Sequence, residues 1–378
     1  MRNIVILGST GTIGQNTLEV VRRNRKRFTI IGIACQTNTE VIASQIEEFA
    51  PRYVYIEERD IFFEHKFPGT TFLYGEEGLD EIATLKEADI IICAVPGIKT
   101  LKPIISAIKK KKTIGLATKE VLVVAGDIIT SLSKKYGVKI LPIDSEHNAL
   151  FQALRGVKKN EISKVYITAS GGPFYGIEKK GEASLDEVLA HPVWKMGKKI
   201  TVDSATMMNK AFEIIEAHYL FNLPSERIDV LIHPEAIVHG MVELVDGTIK
   251  GIFSFPDMKI PISFVLNYPH RNNYCWQHID FSKAGLLHFY PVDRKEIWFS
   301  LAREAIEKKG SFPVVLNGAN EEAVSLFLKG CIRFEDIISL VKKIVDNHKY
   351  RKDISVEEII LLDRWAKDKA KEIAGDKK

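Results

Sequence analysis

An α/β fold opening on a doubly wound parallel sheet is predicted by three observations in the 378-residue sequence. Short, nearly continuous apolar segments recur through residues 1–147, amphipathic stretches lie between them, and a glycine-rich turn joins the first segment to the first amphipathic stretch. Strands buried on both faces read as unbroken apolar runs, and helices alternating with them imply parallel pairing.

The elements follow in chain order. Residues 4–7, 28–35, 53–56, 89–95, 113–117 and 139–142 are predicted strands, with helices at 12–23 and 40–48 among those between them. From about residue 148 the pattern changes. Segments 165–169, 228–232, 236–244 and 248–255 read as strands, Val245-Asp246-Gly247 has hairpin-turn chemistry, and a helix at 208–218 is interposed. That predicts an α+β domain with a mixed or antiparallel sheet. Beyond residue 294 the chain reads as helical: 296–308 ended by Gly310, 320–328 ended by Gly330, 334–348, and a last helix to 374 opened by the capping box Ser355-Val356-Glu357-Glu358. These pack as a small bundle, with Asp376-Lys377-Lys378 frayed beyond it. The expected domains are 1–147, 148–275, a linker at 276–293, and 294–378.

Composition narrows the function classes. Basic and acidic residues nearly balance, 53 against 49, so no nucleic-acid partner is indicated. The run Lys109-Lys110-Lys111-Lys112 reads as a solvated helix end, where cations suit the dipole. The four cysteines form no C-x-x-C, so reduced, buried thiols of a cytoplasmic protein are expected rather than a zinc site or disulfide framework. No apolar run reaches the roughly 18 residues of a membrane span. Met1-Arg2-Asn3 leads directly into a strand, so no signal peptide is expected.

Gly8, Gly11 and Gly14 form a G-x-x-G-x-x-G turn between a strand and a helix. Backbone lacking Cβ there lets amides close on a pyrophosphate at a helix N-terminus, which predicts a dinucleotide. The second strand ends at Cys35-Gln36-Thr37-Asn38, with no acidic residue to hold a ribose 2′-hydroxyl. That favours NADP over NAD, with Thr37 and Asn38 available as hydrogen-bond donors.

Asp144 and Glu146, two residues apart, fall on one side of an extended chain. They are either two solvated loop carboxylates or a pair holding Mg²⁺ or Mn²⁺, which hard oxygen ligands suit. On a helix beginning near Met208, Asn209, Lys210 and Glu213 share one face among apolar neighbours; the trio is either solvent-exposed or a buried polar face needing partners, which a substrate anion with a metal would supply. Ser170-Gly171-Gly172 ends a strand in a turn able to hold phosphate. His191-Pro192-Val193-Trp194-Lys195-Met196-Gly197 reads either as a lid, near 186–198, or as a loop anchored by two large side chains.

Taken together these motifs resemble the 1-deoxy-D-xylulose 5-phosphate reductoisomerases. The resemblance also covers Ala117-Thr118-Lys119-Glu120, Ser204-Ala205-Thr206-Met207-Met208-Asn209-Lys210, His233-Pro234-Glu235, Pro256-Asp257-Met258 and Leu316-Asn317-Gly318-Ala319-Asn320-Glu321. It implies NADPH-dependent, metal-assisted rearrangement and reduction of that substrate to 2-C-methyl-D-erythritol 4-phosphate, by a homodimer, in isoprenoid-precursor synthesis. It implies metal ligands Asp144, Glu146 and Glu213, and catalytic roles for Lys119, Glu146 and His191. Ser145, Ser170, Trp194, Ser204, Asn209 and Lys210 would hold substrate. Gly8, Thr10, Gly11, Thr12, Ile13, Gly14, Thr37, Asn38, Thr118, Glu120, Met196, Gly197 and Met258 would hold cofactor. The chain departs from the family pattern at Thr118, where asparagine is usual, and at Gln36, Thr37, Gly240 and Lys259. A metal-free reductase of a small aldehyde and a nucleotide-sensing regulator are the competing readings.

Overall fold

β-Branched and leucine-rich runs closed by glycine or polar turns produce the alternation expected of the first third. In the computed structural model, which describes residues 1–176, 183–194, 196–271, 273–282 and 285–375, the order is β1 (Arg2–Leu7), α1 (Thr12–Arg22), β2 (Phe28–Ala34), α2 (Thr39–Phe49), β3 (Tyr53–Tyr55), α3 (Ile61–Lys66), β4 (Thr71–Leu73), α4 (Gly75–Ala83), β5 (Ile90–Cys93), α5 (Leu101–Lys109), β6 (Thr113–Leu116), α6 (Glu120–Tyr136), β7 (Ile140–Pro142) and α7 (Ser145–Ala153). Next come β8 (Ile162–Ala169), α8 (Leu185–Leu189), α9 (Lys198–Ala205), α10 (Met208–Phe221), β9 (Ile228–Ile232), β10 (Val238–Leu244), β11 (Ile249–Phe253), α11 (Lys259–Asn267) and β12 (Tyr290–Pro291). The chain closes with α12 (Ile297–Lys308), α13 (Ser311–Leu328), α14 (Asp336–Asn347) and α15 (Val356–Gly375).

Contacts divide the chain into two units. The first comprises Met1–Val121, Asp127–Asn148 and Asp257–Gln277; the second comprises Leu122–Gly126, Ala149–Pro256 and the chain from His278 onward. Residues 257–275, grouped above with the central domain, and 276–277, grouped with the linker, thus return to the first unit. The reason is visible at Gly115 in β6. A Cβ there would lie 2.6 Å from Ile92 Cδ1 and 3.1 Å from Val265 Cγ1, so a missing side chain lets α11 seat against the sheet.

The first unit holds a parallel seven-stranded sheet in the order β4-β3-β2-β1-β5-β6-β7. Ile4 to Leu7 and Ile90 to Cys93 are fully excluded from solvent, as a sheet covered on both faces requires. The strand order reverses between β1 and β5, where such sheets bind ligands at their carboxyl ends. β4 was not foreseen: three residues give no periodic signal.

The second unit holds the sheet β11-β10-β8-β9-β12, antiparallel except for the parallel pair β8–β9. Gly247 takes φ +85° in the β10–β11 turn, and Asp246 Oδ1 accepts from the Thr248 N–H at 2.9 Å, as the turn chemistry predicted. α13 begins nine residues before the predicted helix. Pro313 in its first turn costs nothing, because that N–H would have no helical acceptor. Gly310 is required for another reason than the cap assigned to it: a Cβ there would lie 2.2 Å from the Arg351 carbonyl oxygen. The predicted box at α15 forms, with Ser355 N–H on Glu358 Oε2 (2.8 Å) and Glu358 N–H on Ser355 Oγ (3.2 Å).

Two surface expectations are corrected. Lys112 is buried, its ammonium donating to the carbonyls of Lys86 (2.8 Å) and Ala88 (2.9 Å), so only the start of the lysine run is a solvated helix end. Cys35 and Cys93 are buried thiols, but Cys275 is exposed. Among the described residues no helix is long and apolar enough to cross a membrane. The frayed end assigned to residues 376–378 lies outside the described residues.

Candidate active site

In the first unit the glycine turn separates into two obligatory positions and one open one. Gly8 has φ +91° and a Cβ there would sit 2.7 Å from the Ala94 carbonyl oxygen. At Gly14 a Cβ would sit 2.2 Å from the Gly8 carbonyl oxygen. Gly11 has an ordinary φ of −78° and its nearest neighbour would be 3.6 Å away. Gly11 is also the N-cap of α1 and offers no side-chain acceptor, so the first-turn amides at Thr12 and Ile13 remain available to an anion. Gly8, Thr10 and Gly11 line a cavity of about 180 Å³ that extends past the ends of β2, β3 and β5 to Gln36, Glu57 and Lys99.

The other predicted cofactor residues differ in availability. Thr37 is exposed, whereas Asn38 spends its side-chain oxygen capping α2 through the Val41 N–H at 3.2 Å. Thr118, the departure from the family pattern, is buried and donates its hydroxyl to the Val95 carbonyl at 2.7 Å. Glu120 is buried in the first turn of α6, and Met258 is the half-buried N-cap residue of α11.

Lys119 follows β6 and Asp144 follows β7, and these strands are parallel neighbours, so their carboxyl ends bring the two side chains together. Lys119 Nζ donates to Asp144 Oδ2 at 2.6 Å in a largely buried setting, and His147 Nδ1 lies 3.0 Å from Asp144 Oδ1. Asp144 and Glu146 offer oxygens within 4.8 Å of each other. They converge, but not by strand alternation as expected. Asp144 precedes α7 and Glu146 lies in its first turn, so both carboxylates gather at a helix N-terminus, which favours negative charge. Ser145 Oγ donates to Glu146 Oε2.

In the second unit Ser170 ends β8, and the Ser170-Gly171-Gly172 turn approaches the end of α9. A Cβ on Gly172, at φ +70°, would lie 3.0 Å from the Ser204 carbonyl oxygen, so the turn passes close beside Ser204. His191 Nδ1 accepts the backbone N–H groups of Val193 (3.2 Å) and Trp194 (2.9 Å). A neutral ring with an accepting Nδ1 carries its proton on Nε2, which faces Ser170 Oγ at 3.1 Å. His191 thereby donates to Ser170 and leaves the serine proton free for a ligand. Burial, and secondarily the charge of Lys210, hold the His191 pKa below its usual 6.5. Trp194 packs its ring against His239, with centroids 6.1 Å apart. Met196 is half-buried and Gly197 is the N-cap of α9; Lys195 lies outside the described residues.

α9 and α10 are joined through Met207, held in the left-handed region at φ +62°, which turns the chain sharply between Ser204 and Asn209. On α10, Asn209 Nδ2 donates to Glu213 Oε1 (2.5 Å) and Lys210 Nζ to Glu213 Oε2 (2.6 Å). The polar face predicted for this helix is therefore buried and satisfied, with Lys210 and Glu213 nearly inaccessible. Sequence inspection missed what anchors α9. Asn320 Nδ2 on α13 donates to buried Asp203 Oδ1 at 2.8 Å, and Lys199 pairs with the other oxygen at 2.8 Å. No local pattern marks a contact 117 residues apart. The His233-Pro234-Glu235 motif serves the fold: His233 is fully buried, bonded to the His288 carbonyl (2.8 Å) and the Ile237 N–H (3.2 Å).

Comparison with known proteins covers the whole chain. Residues 4–126 match the 1-deoxy-D-xylulose 5-phosphate reductoisomerase family model, residues 140–221 its C-terminal domain model, and residues 253–369 the DXP reductoisomerase C-terminal domain model. The chain is 45% identical over 382 residues to the 1-deoxy-D-xylulose 5-phosphate reductoisomerase of Thermodesulfovibrio yellowstonii, covering all of both chains. It is 42% identical to that of Chlorobium chlorochromatii, covering 98% of this chain and 99% of the other. A crystal structure of DOX-P reductoisomerase with NADPH, fosmidomycin and magnesium superposes at TM-score 0.93 and 34% identity, covering 99% of this chain and 98% of that one. The Zymomonas mobilis reductoisomerase with NADPH superposes at TM-score 0.89 and 33% identity over 99% of both chains.

Proposed function

The chain belongs to the 1-deoxy-D-xylulose 5-phosphate reductoisomerase family, and from that membership we propose that it converts 1-deoxy-D-xylulose 5-phosphate to 2-C-methyl-D-erythritol 4-phosphate with NADPH and a divalent cation. The observation that carries this reading is the pair of carboxylates, Asp144 and Glu146, gathered within 4.8 Å beside a buried lysine. Like charges so placed suit a hard cation, and a magnesium-bound structure is among the relatives. The turn fits a dinucleotide equally well, since Gly8 and Gly14 leave no room for a Cβ.

When bound, NADPH supplies the hydride and the cation polarises the ketone oxygen as a Lewis acid. In this reading Asp144, Glu146 and Glu213 are the cation's ligands. Thr10, Gly11, Thr12 and Ile13 line the pyrophosphate, and the first-turn amides of Thr12 and Ile13 donate to it. Lys119 balances Asp144 and, by family resemblance, touches the substrate's oxygens beside the cation. Ser170, primed by His191, donates to the substrate phosphate together with Ser204, Asn209 and Lys210. Phosphate binding at these residues orients the carbons that rearrange to a branched aldehyde before reduction. Trp194, Met196 and Gly197 belong to a lid that excludes water during that step. The first unit handles cofactor, the second substrate phosphate, and the working form is a cytoplasmic homodimer.

NADPH oxidation followed at 1-deoxy-D-xylulose 5-phosphate saturation tests the proposal. Wild type with Mg²⁺ oxidises NADPH only with substrate, EDTA stops it, and Glu146→Gln binds NADPH normally but loses most turnover. Absence of substrate-dependent oxidation by wild type with Mg²⁺ rejects the proposal.

A further inference from the structure

In a bound dinucleotide the adenosine ribose presents its 2′ position where β2 ends. This chain reads Cys35-Gln36-Thr37 there, without a charged side chain. The charges come from neighbouring loops. Glu57 follows β3, and its N–H donates to the Gln36 carbonyl at 3.3 Å, which seats the residue beside the end of β2. Lys99 follows β5, and its ammonium is ion-paired with the Glu57 carboxylate. Both line the cavity that begins at Gly8 and Thr10, and among the described residues lining it they are the only charged side chains. Each side chain is about a third exposed, enough to be reached by a ligand. Tyr55, also lining this cavity, has its hydroxyl pushed up to about 12 by burial and then by the Glu57 charge, so that carboxylate is felt within the cavity.

We propose that Lys99 is the cation that binds the 2′-phosphate of NADPH, and that Glu57 competes for it and so keeps the preference for NADPH over NADH small. The inference rests on the reading of the glycine turn as a dinucleotide site. The 2′-phosphate brings a charge of nearly −2, and Lys99 must leave Glu57 to meet it. The freed carboxylate then faces the phosphate and opposes it. With NADH the ion pair stays intact, and Glu57 can accept from the ribose 2′-hydroxyl.

Direct titration of NADPH and NADH fluorescence, at fixed ionic strength without substrate, reads this apart from catalysis. Lys99→Met is expected to weaken NADPH about tenfold or more, the worth of one charge-assisted hydrogen bond, while NADH changes less than about twofold. Glu57→Gln is expected to tighten NADPH and weaken NADH, widening the ratio between them. Unchanged NADPH affinity in Lys99→Met, equal loss of both nucleotides, or an unchanged ratio in Glu57→Gln overturns the inference while leaving the family reading intact. Failure of the wild type to bind either nucleotide overturns the dinucleotide site itself, and this inference with it.

Discussion

Gly14→Ala is the perturbation whose size follows most directly from geometry. The new Cβ would stand 2.2 Å from the Gly8 carbonyl oxygen and 2.5 Å from Ser9 Cα, all backbone atoms that no rotamer change can move aside. Ordinary contact begins near 3.4 Å, so the start of α1 must retreat by about 1.2 Å. That helix buries Leu18, Val20 and Val21, so the retreat is opposed by packing and costs about 1–3 kcal/mol of stability. It also withdraws the amides of the first turn from the pyrophosphate. Loss of one charge-assisted hydrogen bond, roughly 1.5–3 kcal/mol, weakens NADPH at least about tenfold. Gly11→Ala is the matched control, because its Cβ meets nothing closer than 3.6 Å. Thermal unfolding and NADPH titration of both variants decide the matter. A Gly14→Ala protein with wild-type Tm and NADPH affinity, or a Gly11→Ala protein as unstable as Gly14→Ala, would refute the steric reasoning.

Further outcomes are expected. The His191 imidazole should titrate by NMR below 6.5, since burial and the Lys210 charge both disfavour protonation; Lys210→Gln should move it part of the way back up, burial being the larger cause. Because the unfolded chain then takes up that proton first, the His191 contribution to stability is complete above pH 6.5 and declines as pH falls below it, which urea unfolding across that range checks. Asn320→Ala removes a hydrogen-bond partner of buried Asp203 and should cost about 1–3 kcal/mol in stability while raising KM for the phosphorylated substrate more than it lowers kcat.

What the sequence made legible was local. The Gly8 to Gly14 turn, the α15 capping box and the Val245-Asp246-Gly247 hairpin are each set within a few residues, and each formed as predicted. The convergence of Asp144 and Glu146 was anticipated for the wrong reason, since strand periodicity was assumed where a helix begins. The beginning of α13 was missed because Pro313 and the buried Asn317 and Gly318 disguise a helix that is covered nearly all round. Contacts such as Asn320–Asp203, Val265–Gly115 and Lys99–Glu57 join segments 42 to 150 residues apart and leave no periodic trace. Such pairs decide how the legible motifs are held in place.

The central claim is that the chain rearranges a carbon skeleton as well as reducing it. Incubation of ¹³C-labelled 1-deoxy-D-xylulose 5-phosphate with the protein, NADPH and Mg²⁺, followed by ¹³C NMR of the product, tests it most directly. Branched 2-C-methyl-D-erythritol 4-phosphate is the predicted product. A reduced product with its carbon chain still unbranched would show a plain ketone reductase and contradict the claim.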